Sequence, residues 1–341
     1  MYQLLDSWAS PTIENSYGIY IFLLLVCIVG GFYLLIKGGD WLSDHSANLA
    51  FQLGIPPVVV GLTIVSIATS TPELFTSISA LNSDSPGLIL GNIIGSNIAN
   101  IALILGIALL IGTVPTKDAV STSQRICLFG LTISFCGFLL FSPNHEIGFT
   151  AGTVFLCFIA AYLLILTTKA IQQNQSQKTE AGIEINQEER HTSPLLSLGM
   201  LLVATFALWA GADSLVYGSK GLAEIGGIPE ELIGFTLLAI GTSLPELAAS
   251  ISLVRKQRSA MLLGNIVGSN LFNISLVGGL AGVLGPVRSS APYAWIDYLF
   301  LLLTTMLLVY WLKGKILGKK EGVLLLLTYA IATIATWVLN S

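Results

Sequence analysis

Residues 61–80, GLTIVSIATSTPELFTSISA, and residues 234–253, GFTLLAIGTSLPELAASISL, are two copies of one segment. A second shared motif follows each copy: GNIIGSNIANIALILG at 91–106 and GNIVGSNLFNISLVGG at 264–279. Each copy places a glutamate and a row of small oxygen-bearing residues inside a strongly apolar stretch. Ionisable residues in such a setting are costly, and they usually mark a site for an ion.

The two copies are separated by a constant offset of 173 residues. Between 38–112 and 211–285, 33 of 75 positions are identical, and many of these are Gly, Thr, Ser, Pro, Glu or Asn. Chance similarity between two apolar segments would instead match Leu, Ile and Val. The polar positions are therefore specified in both halves of the chain.

The composition indicates the class of protein. The chain has 341 residues, of which 54% are hydrophobic and 10% charged, and its mean hydropathy is +0.81. These values indicate a polytopic membrane protein and argue against a soluble enzyme. The net charge of -4 and the scattered basic residues argue against a nucleic-acid partner.

Ten apolar runs are long enough to cross a bilayer core of about 30 Å, which takes roughly 20 helical residues. They lie at 17–43, 56–81, 87–113, 123–142, 148–169, 195–222, 229–254, 259–286, 292–312 and 322–339. The sequence thus predicts an all-α polytopic membrane protein with ten transmembrane helices. A Gln- and Glu-rich stretch that cannot bury a core divides them into two sets of five.

The predicted organisation follows this division. In chain order, the units are a short extracytoplasmic N-terminal segment at 1–16, a first five-helix half at 17–170 with repeat 1 at 61–106, a cytoplasmic loop at 171–193, and a second five-helix half at 194–341 with repeat 2 at 234–279.

The basic residues predict the orientation. With the N-terminus outside, the inner loops and helix ends hold Lys37, Lys117, Arg125, Lys169, Lys178, Arg190, Arg255, Lys256, Arg258, Lys313, Lys315, Lys319 and Lys320. The outer side holds only Lys220 and Arg288. This bias predicts a multi-pass protein of the plasma (cytoplasmic) membrane with both termini outside. Because each half has five helices, the second half is inverted relative to the first, which predicts a substrate site near the bilayer midplane.

The glutamate of each repeat lies on a polar stripe. Oxygen-bearing side chains at helical spacing in repeat 1 are Ser66, Thr69, Ser70, Glu73 and Ser77. The same stripe in repeat 2 is Thr242, Ser243, Glu246 and Ser250, with Ala239 at the position of Ser66. A proline directly precedes each acid and removes a backbone hydrogen bond from its helix, which predicts that helices 2 and 7 are broken.

The GNxxGSNxxN motifs extend the polar surface. Their residues Asn92, Ser96 and Asn100, and likewise Asn265, Ser269 and Asn273, are spaced by four, while the motif glycines permit close helix approach or local unwinding. We therefore expect helices 3 and 8 to be broken as well. All the side chains are hard oxygen donors, which suit Ca²⁺, Mg²⁺ or Na⁺.

Charge balance predicts which ions compete for the site. No Lys or Arg occurs between residues 38 and 116, so the charge opposite Glu73 must come from elsewhere. Two glutamates meeting at the midplane offer two negative charges, which one Ca²⁺, two or more Na⁺ or two protons could neutralise. Competition of cations for the same carboxylates is the physical basis of antiport.

The paired TSTPE and TSLPE segments and the two GNxxGSN segments resemble the alpha repeats of the sodium/calcium exchanger family, and most closely its compact prokaryotic members. The resemblance covers nearly the whole chain through the ten-helix plan. It implies exchange of Na⁺ for Ca²⁺ by alternating access, with sliding of the first and sixth helices against the rest. It implies no enzymatic activity and no cofactor, and the partners are Ca²⁺, Na⁺ and the lipid bilayer, without an obligate protein partner.

By this resemblance, Glu73 and Glu246 hold a central Ca²⁺. The assisting residues would be Thr69, Ser70, Ser96 and Asn100 from repeat 1 and Thr242, Ser243 and Ser269 from repeat 2. Ser66 and Ala239 stand where the family uses backbone carbonyls for Na⁺, and the Ser66 hydroxyl could add a ligand or bond its own helix. Asn273 completes the site and stands where several relatives carry Asp, which resembles the potassium-independent type.

Three other functions remain as alternatives. A Ca²⁺/H⁺ antiporter of the same superfamily would use the glutamates for protons, a passive cation channel would need charged rings and a continuous pore, and an intramembrane enzyme would need a further acid-base or nucleophile set. Outside the site, Asp40 and Asp213 are expected to have either an ion-related role or a structural hydrogen bond. Ser79 and Ser252 are predicted to bond their own helices, and Asn97 and Asn270 to cap the backbone.

Overall fold

A computed structural model describes residues 14–82, 86–142, 145–180, 193–226, 239–288 and 295–340 of the chain. The first half contains α1 (Glu14–Leu53), α2 (Pro57–Val60), the π-helical turn π1 (Gly61–Val65), α3 (Ser66–Asn82), α4 (Pro86–Ile98), π2 (Ala99–Ile104), α5 (Leu105–Ile111), β1 (Val114–Pro115), α6 (Thr122–Phe141), β2 (Glu146–Ile147) and α7 (Phe149–Glu180).

The second half repeats this order. It contains α8 (Pro194–Ile225), α9 (Ala239–Thr242), α10 (Leu244–Arg255), α11 (Ser259–Phe272), π3 (Asn273–Val277), α12 (Gly278–Leu284), β3 (Val287–Arg288), α13 (Trp295–Trp311), β4 (Ile316–Leu317) and α14 (Lys319–Asn340).

Eight helical segments of the described chain are long and apolar enough to cross a membrane. They are Gly18–Leu53, Pro57–Leu81, Gly87–Ile111, Thr122–Phe141, Phe149–Ala170, Pro194–Ile225, Ser259–Leu284 and Lys319–Leu339. The span expected at 292–312 is the shorter apolar helix Trp295–Trp311. The span expected at 229–254 lies partly outside the described residues, which include only its α9 and α10 portions. The chain is thus a mostly helical membrane protein.

Two helices are longer than their sequence patterns predict. The first span was expected to end at residue 43, but α1 continues to Leu53 and has 40 residues, which is about 60 Å at the usual helical rise. Helix α7 continues to Glu180, into the segment expected to be a loop from 171. A polar composition there excludes a buried core but does not end a helix, because Gln, Lys and Glu all have good helix propensity.

The all-α prediction requires a correction, because four two-residue strands form two short ribbons. Strand β1 pairs antiparallel with β4, and β2 pairs antiparallel with β3. Helices α5 and α12 are each followed by a glycine in extended conformation, Gly112 and Gly285 respectively. The chain that follows can no longer satisfy its backbone groups within a helix, so it pairs with a strand of the opposite half.

The prediction of four broken helices also needs revision. The helical run through Pro72 is continuous, and the irregularity lies upstream in π1. Turns π2 and π3 likewise distort the GNxxGSNxxN helices without interrupting them. Only before α10 does the described helix stop, at Ser243, where φ is -90° and ψ is 2°. A proline removes a single backbone hydrogen bond, and the α3 helix continues past Pro72 despite that loss.

The long helices α1 and α8 pack closely at glycines. A Cβ on Gly31 would lie 2.7 Å from the backbone oxygen of Gly211, and one on Gly38 would lie 3.2 Å from the oxygen of Ala204. Neither position leaves room for a side chain without moving a backbone. The pair therefore forms one closely packed unit against which the repeat helices lie.

An ion-pair cluster ties one end of α1 to the turn between α10 and α11. The Lys256 Nζ lies 2.8 Å from Asp44 Oδ2 and 3.5 Å from Asp40 Oδ1. Arg258 also contacts Asp44, at 2.9 Å. The Ser252 hydroxyl donates to Asp40 Oδ1 at 2.7 Å, so the prediction that Ser252 bonds its own helix is wrong: the carboxylate is a stronger acceptor than a carbonyl already bonded within the helix. These contacts favour the structural role for Asp40.

Adjacent glycines on α1 give a matched test of the packing. Gly31→Ala should destabilise the protein by about 1–3 kcal/mol, because overpacking forces α1 and α8 apart. Gly30→Ala should be neutral or stabilising by up to about 1 kcal/mol through helix propensity, since nothing lies within 4 Å of a Cβ at Gly30. Thermal unfolding of the two variants in detergent measures the difference. Equal melting temperatures would contradict the close packing of α1 and α8.

Candidate cation-binding site

The polar residues of both repeats are buried together in the interior. Glu73 on α3 is 1% exposed and Glu246 on α10 is 0% exposed. Other buried polar residues of the repeats include Ser66, Thr69, Ser70, Ser77, Ser96, Asn100, Thr242, Ser243, Ser250, Asn265, Ser269 and Asn273. Because polar groups avoid apolar interiors unless they are satisfied, this concentration indicates a site.

A direct hydrogen bond joins the two glutamate segments. The Ser70 hydroxyl donates to Glu246 Oε1 at 3.1 Å, and Glu73 lies one helical turn beyond Ser70 on α3. The carboxylates of Glu73 and Glu246 are near enough to repel each other electrostatically. No salt bridge among the described residues involves either glutamate. A cation between them would remove the repulsion.

The first asparagine of each GNxxGSN motif has a different role in each repeat. Asn92 donates its amide to the Glu73 carbonyl at 3.1 Å and to Ser77 Oγ at 3.0 Å. It therefore connects α4 to the backbone beside the first glutamate. Asn265 instead accepts through Oδ1 from the Thr69 hydroxyl at 3.4 Å, and Ser66 lies 3.5 Å from the same oxygen.

The hydroxyl of Ser66 accompanies this difference and has no counterpart in repeat 2. Ser66 Oγ lies 2.7 Å from the Gly61 carbonyl and 3.1 Å from the Asn265 carbonyl, and the equivalent residue in repeat 2 is an alanine. Asn265 thus turns toward repeat 1, and its Nδ2 has no hydrogen-bond partner among the described residues. Of the two roles expected for Ser66, the helix-bonding one is observed here, through a carbonyl five residues earlier in π1.

A second contact between the repeats joins the GNxxGSNxxN helices. The Asn273 amide donates to Ser96 Oγ at 2.8 Å, and Ser96 in turn donates to the Ile93 carbonyl at 3.2 Å. Asn273 begins π3 and Asn100 lies in π2. Both π turns therefore carry an asparagine into the same polar interior.

Several oxygens in this interior accept no hydrogen bond from any described residue. They are both carboxylate oxygens of Glu73, Oε2 of Glu246, Oδ1 of Asn100 and Asn273, and the hydroxyl oxygens of Ser243, Ser250 and Ser269. An unsatisfied buried polar group costs roughly 1–3 kcal/mol, and a charged one costs more. These are carboxylate, amide and hydroxyl oxygens, the ligands that Na⁺ and Ca²⁺ prefer, and six to eight such oxygens typically surround Ca²⁺.

The structure brings half of the twelve sequence-predicted residues into contact across the repeats. It joins Ser70 to Glu246, Ser96 to Asn273, and Thr69 to repeat 2 through Asn265. Ala239 begins α9, and its side chain lies outside the described part of the molecule. Asn92 and Asn265 were not among the predicted site residues, although their duplication in GNxxGSN could have identified them.

Two further asparagines have equivalent roles in both repeats. Asn97 donates to the Ile93 carbonyl at 2.6 Å, and Asn270 donates to the Ile266 carbonyl at 2.7 Å. Both bonds reach four residues back along the same helix, so a backbone role is confirmed. Neither residue caps a helix break, because α4 and α11 run on into π turns.

The glycines of the second GNxxGSN motif provide the predicted close approach. A Cβ on Gly264 would lie 2.5 Å from the Val58 carbonyl, and one on Gly268 would lie 2.2 Å from Ser66 Oγ. The close contact of α11 with α2 and π1 is what places Asn265 beside Ser66.

Comparison with known proteins places the chain among ion exchangers. The family model described as sodium/calcium exchanger protein matches residues 23–168 and 196–338. The sodium/calcium exchanger MaX1 of Methanosarcina acetivorans is 30% identical, over 90% of this chain and 96% of its own length. The inner membrane protein YrbG of Escherichia coli is 32% identical, over 89% of this chain and 93% of its own length.

The fold resembles a solved exchanger structure. The sodium-calcium exchanger NCX_Mj, soaked with 10 mM Na⁺ and zero Ca²⁺, matches with a TM-score of 0.77 and 29% identity. The match covers 92% of this chain and 99% of that one. The similarity therefore extends over the whole helical arrangement and both repeats.

Cation binding at this site predicts selective thermal stabilisation. Ca²⁺ should raise the melting temperature of the detergent-solubilised protein, because a ligand at 100 times its Kd stabilises the folded state by about 2.7 kcal/mol. Glu73→Gln and Glu246→Gln should each lose most of this effect. Without Ca²⁺, both variants should melt at or above the temperature of the native chain, since the like-charge repulsion is removed.

Glu224→Gln is the matched control, because Glu224 lies on the exposed end of α8 in an ion pair with Lys220. It should keep the full response to Ca²⁺. Full stabilisation of both site variants by Ca²⁺ would place cation binding elsewhere in the protein.

Proposed function

Because this chain belongs to the family of sodium/calcium exchanger proteins, we propose that it is a secondary active antiporter that exchanges Na⁺ for Ca²⁺ across a membrane. The observation that carries the proposal is the pair of buried glutamates, Glu73 and Glu246, whose segments meet through Ser70 and which have no cationic side chain as a partner in the described chain. Exchange requires such a site to be occupied by one kind of cation or the other.

The chemistry of the site supports competition between the two ions. One Ca²⁺ between the carboxylates balances their two negative charges, and two or more Na⁺ can do the same at separate positions. Buried oxygens without a hydrogen-bond partner among the described residues come from both repeats, and they include those of Asn100, Ser243, Ser269 and Asn273. Ser66, present only in repeat 1, makes the two sides of the site unequal, and we propose that the Na⁺ and Ca²⁺ positions separate there.

Alternating access is supported by contacts that correspond under the 173-residue offset. Gly38 of α1 approaches Ala204 of α8, and the corresponding Gly211 approaches Gly31. Strand β1 pairs with β4 of the other half, and its counterpart β3 pairs with β2. Such reciprocal contacts are expected of two inverted five-helix repeats related by a twofold axis in the membrane plane, and they support a ten-helix plan.

The α1 and α8 pair is the element we propose to move. The glycines at its crossing let the two backbones pack together as one unit, and we propose that this unit slides against the repeat helices. Each half-cycle of exchange would expose the Glu73 and Glu246 carboxylates to one side of the membrane only.

The ribbons also support the predicted orientation. The β1–β4 ribbon adjoins Lys117, Lys315 and Lys319, while Arg288 lies in the β2–β3 ribbon opposite Glu146. We propose that the β1–β4 end of the molecule is cytoplasmic and that both termini are outside, in accordance with the positive-inside rule.

A Ca²⁺/H⁺ antiporter is the second candidate, and one observation favours it. Glutamates buried without a cationic partner can be neutralised by protons as well as by metal ions. The site can therefore accept either coupling ion, Na⁺ or H⁺, and transport measurements must identify which ion gradient drives Ca²⁺ uptake.

Transport by the reconstituted protein distinguishes the candidates. Proteoliposomes loaded with Na⁺ and diluted into Na⁺-free medium should take up Ca²⁺, because outward Na⁺ flux drives the exchange. Glu73→Gln and Glu246→Gln should reduce this uptake by at least about a hundredfold, since loss of a charged ligand costs several kcal/mol of ion affinity. Glu224→Gln should transport at the native rate.

A pH gradient without Na⁺ supplies the comparison. Ca²⁺ uptake driven by protons and indifferent to Na⁺ would establish the second candidate in place of the first. Ca²⁺ flux without any counter-gradient would indicate a channel. Native rates in both glutamate variants would contradict the assigned site while leaving the family unaffected.

Thiol labelling tests the orientation. In a background with the native cysteines Cys27, Cys127, Cys136 and Cys157 replaced, Arg288→Cys should react with a membrane-impermeant maleimide in intact cells. Lys319→Cys should react only after permeabilisation, because it adjoins the proposed cytoplasmic ribbon. The reverse pattern would invert the topology.

A further inference from the structure

A cavity between α6 and α13 lies apart from the site of the glutamates. Its volume is about 350 Å³, and it is lined by Thr122, Arg125, Ile126, Phe129, Gly130, Val309 and Lys313. The α6 residues follow one face of the helix at intervals of three and four. The cavity therefore has one wall from each helix, with its basic residues at the end of the helices that carries the β1–β4 ribbon.

The two basic residues of the cavity are not neutralised by carboxylates. Lys315 nearby is paired with Glu321 at 2.9 Å, whereas neither Arg125 nor Lys313 forms a salt bridge within the described chain. Arg125 donates to Thr122 Oγ1 at 2.7 Å, and its Nε is shielded and has no partner among the described residues. The Lys313 ammonium lies 5.8 Å from the centre of the Tyr310 ring. Two cations lining one hollow favour an anion.

The rest of the cavity is apolar and opens toward the lipid. Ile126 is 65% exposed on the outer face of α6, and Phe129 and Val309 continue the apolar wall. Nothing lies within 4 Å of a Cβ built on Gly130, so the missing side chain is what leaves the hollow open. The site thus combines positive charge at the end of two membrane helices with an apolar groove directed along them.

We propose that this cavity binds an anionic phospholipid. The headgroup phosphate lies between Arg125 and Lys313, and an acyl chain follows the groove past Ile126, Phe129 and Gly130. Basic pockets between transmembrane helices at the bilayer interface suit acidic lipid headgroups. The groove favours a lipid over free phosphate, because a small anion would leave the apolar walls uncovered. The proposal does not depend on the transported ions or on the orientation.

Native mass spectrometry of the delipidated protein tests the proposal. With matched acyl chains, phosphatidylglycerol should bind roughly tenfold or more tightly than phosphatidylcholine, as expected for two cationic contacts. Arg125→Gln combined with Lys313→Gln should abolish this preference. The control, Lys319→Gln combined with Lys320→Gln, removes the same charge from exposed positions outside the cavity and should keep it.

A second pair of variants tests the groove with both charges in place. Gly130→Phe should fill the hollow and weaken phosphatidylglycerol binding by roughly tenfold. Gly137→Phe, on the same helix and equally open at its Cβ, should have no effect. Inorganic phosphate at the same concentration should not compete with the lipid.

Three outcomes would overturn the proposal. Equal binding of the two lipids by the native chain would remove the role of charge. The lipid would bind elsewhere if the Arg125 and Lys313 double variant kept its preference for phosphatidylglycerol and Gly130→Phe also left phosphatidylglycerol binding unchanged. Competition by inorganic phosphate alone would identify a simple anion site.

Discussion

Two carboxylates, those of Glu73 and Glu246, lie in the apolar interior within electrostatic reach of each other. Burying one unpaired charge in a membrane protein costs about 2.5–3.5 kcal/mol on insertion scales, and a like-charged neighbour adds to that cost. The surrounding structure is organised around this constraint. Ser70 supports one carboxylate across the repeats, and Asn92 fixes the backbone beside the other.

The close helix packing follows from the same constraint. Oxygens from two repeats can surround one ion only if their helices approach at backbone distance, and the glycines at 264 and 268 bring α11 against α2 and π1. The π turns then direct Asn100 and Asn273 inward. Each distorts its helix within a protein interior, where such irregular backbone is tolerated in a membrane.

Pseudo-symmetry and asymmetry have separate causes in this molecule. The reciprocal contacts of α1 with α8, and of the four short strands, reflect the duplication of the sequence. The different hydrogen bonds of Asn92 and Asn265 coincide with the hydroxyl of Ser66, which is present only in repeat 1. Carbonyl, amide and hydroxyl groups thus have different hydrogen-bond partners in the two repeats.

The charged residues near the helix ends fall into two sets. The Asp40 and Asp44 cluster neutralises Lys256 and Arg258 at one end of α1, whereas no carboxylate of the described residues pairs with Arg125 or Lys313 beside the apolar groove. Both sets lie near helix ends, where side chains reach water or lipid headgroups. The paired charges join α1 to the turn between α10 and α11, whereas Arg125 and Lys313 line the groove that we propose binds an anionic lipid.

The sequence by itself determined the membrane class, most of the spans and the residues that belong in the interior, because hydropathy and duplicated polar positions are local properties of the chain. It also indicated the family through the paired motifs. Only the tertiary structure decided that the helix through Pro72 stays continuous and that short strands of the two halves pair with each other. It also decided that the Ser252 side chain bonds to Asp40 and that the Asn265 side chain points toward Ser66. Each of these depends on which partner a backbone or polar group meets in space, and spacing along one helix carries no information about a partner some two hundred residues away.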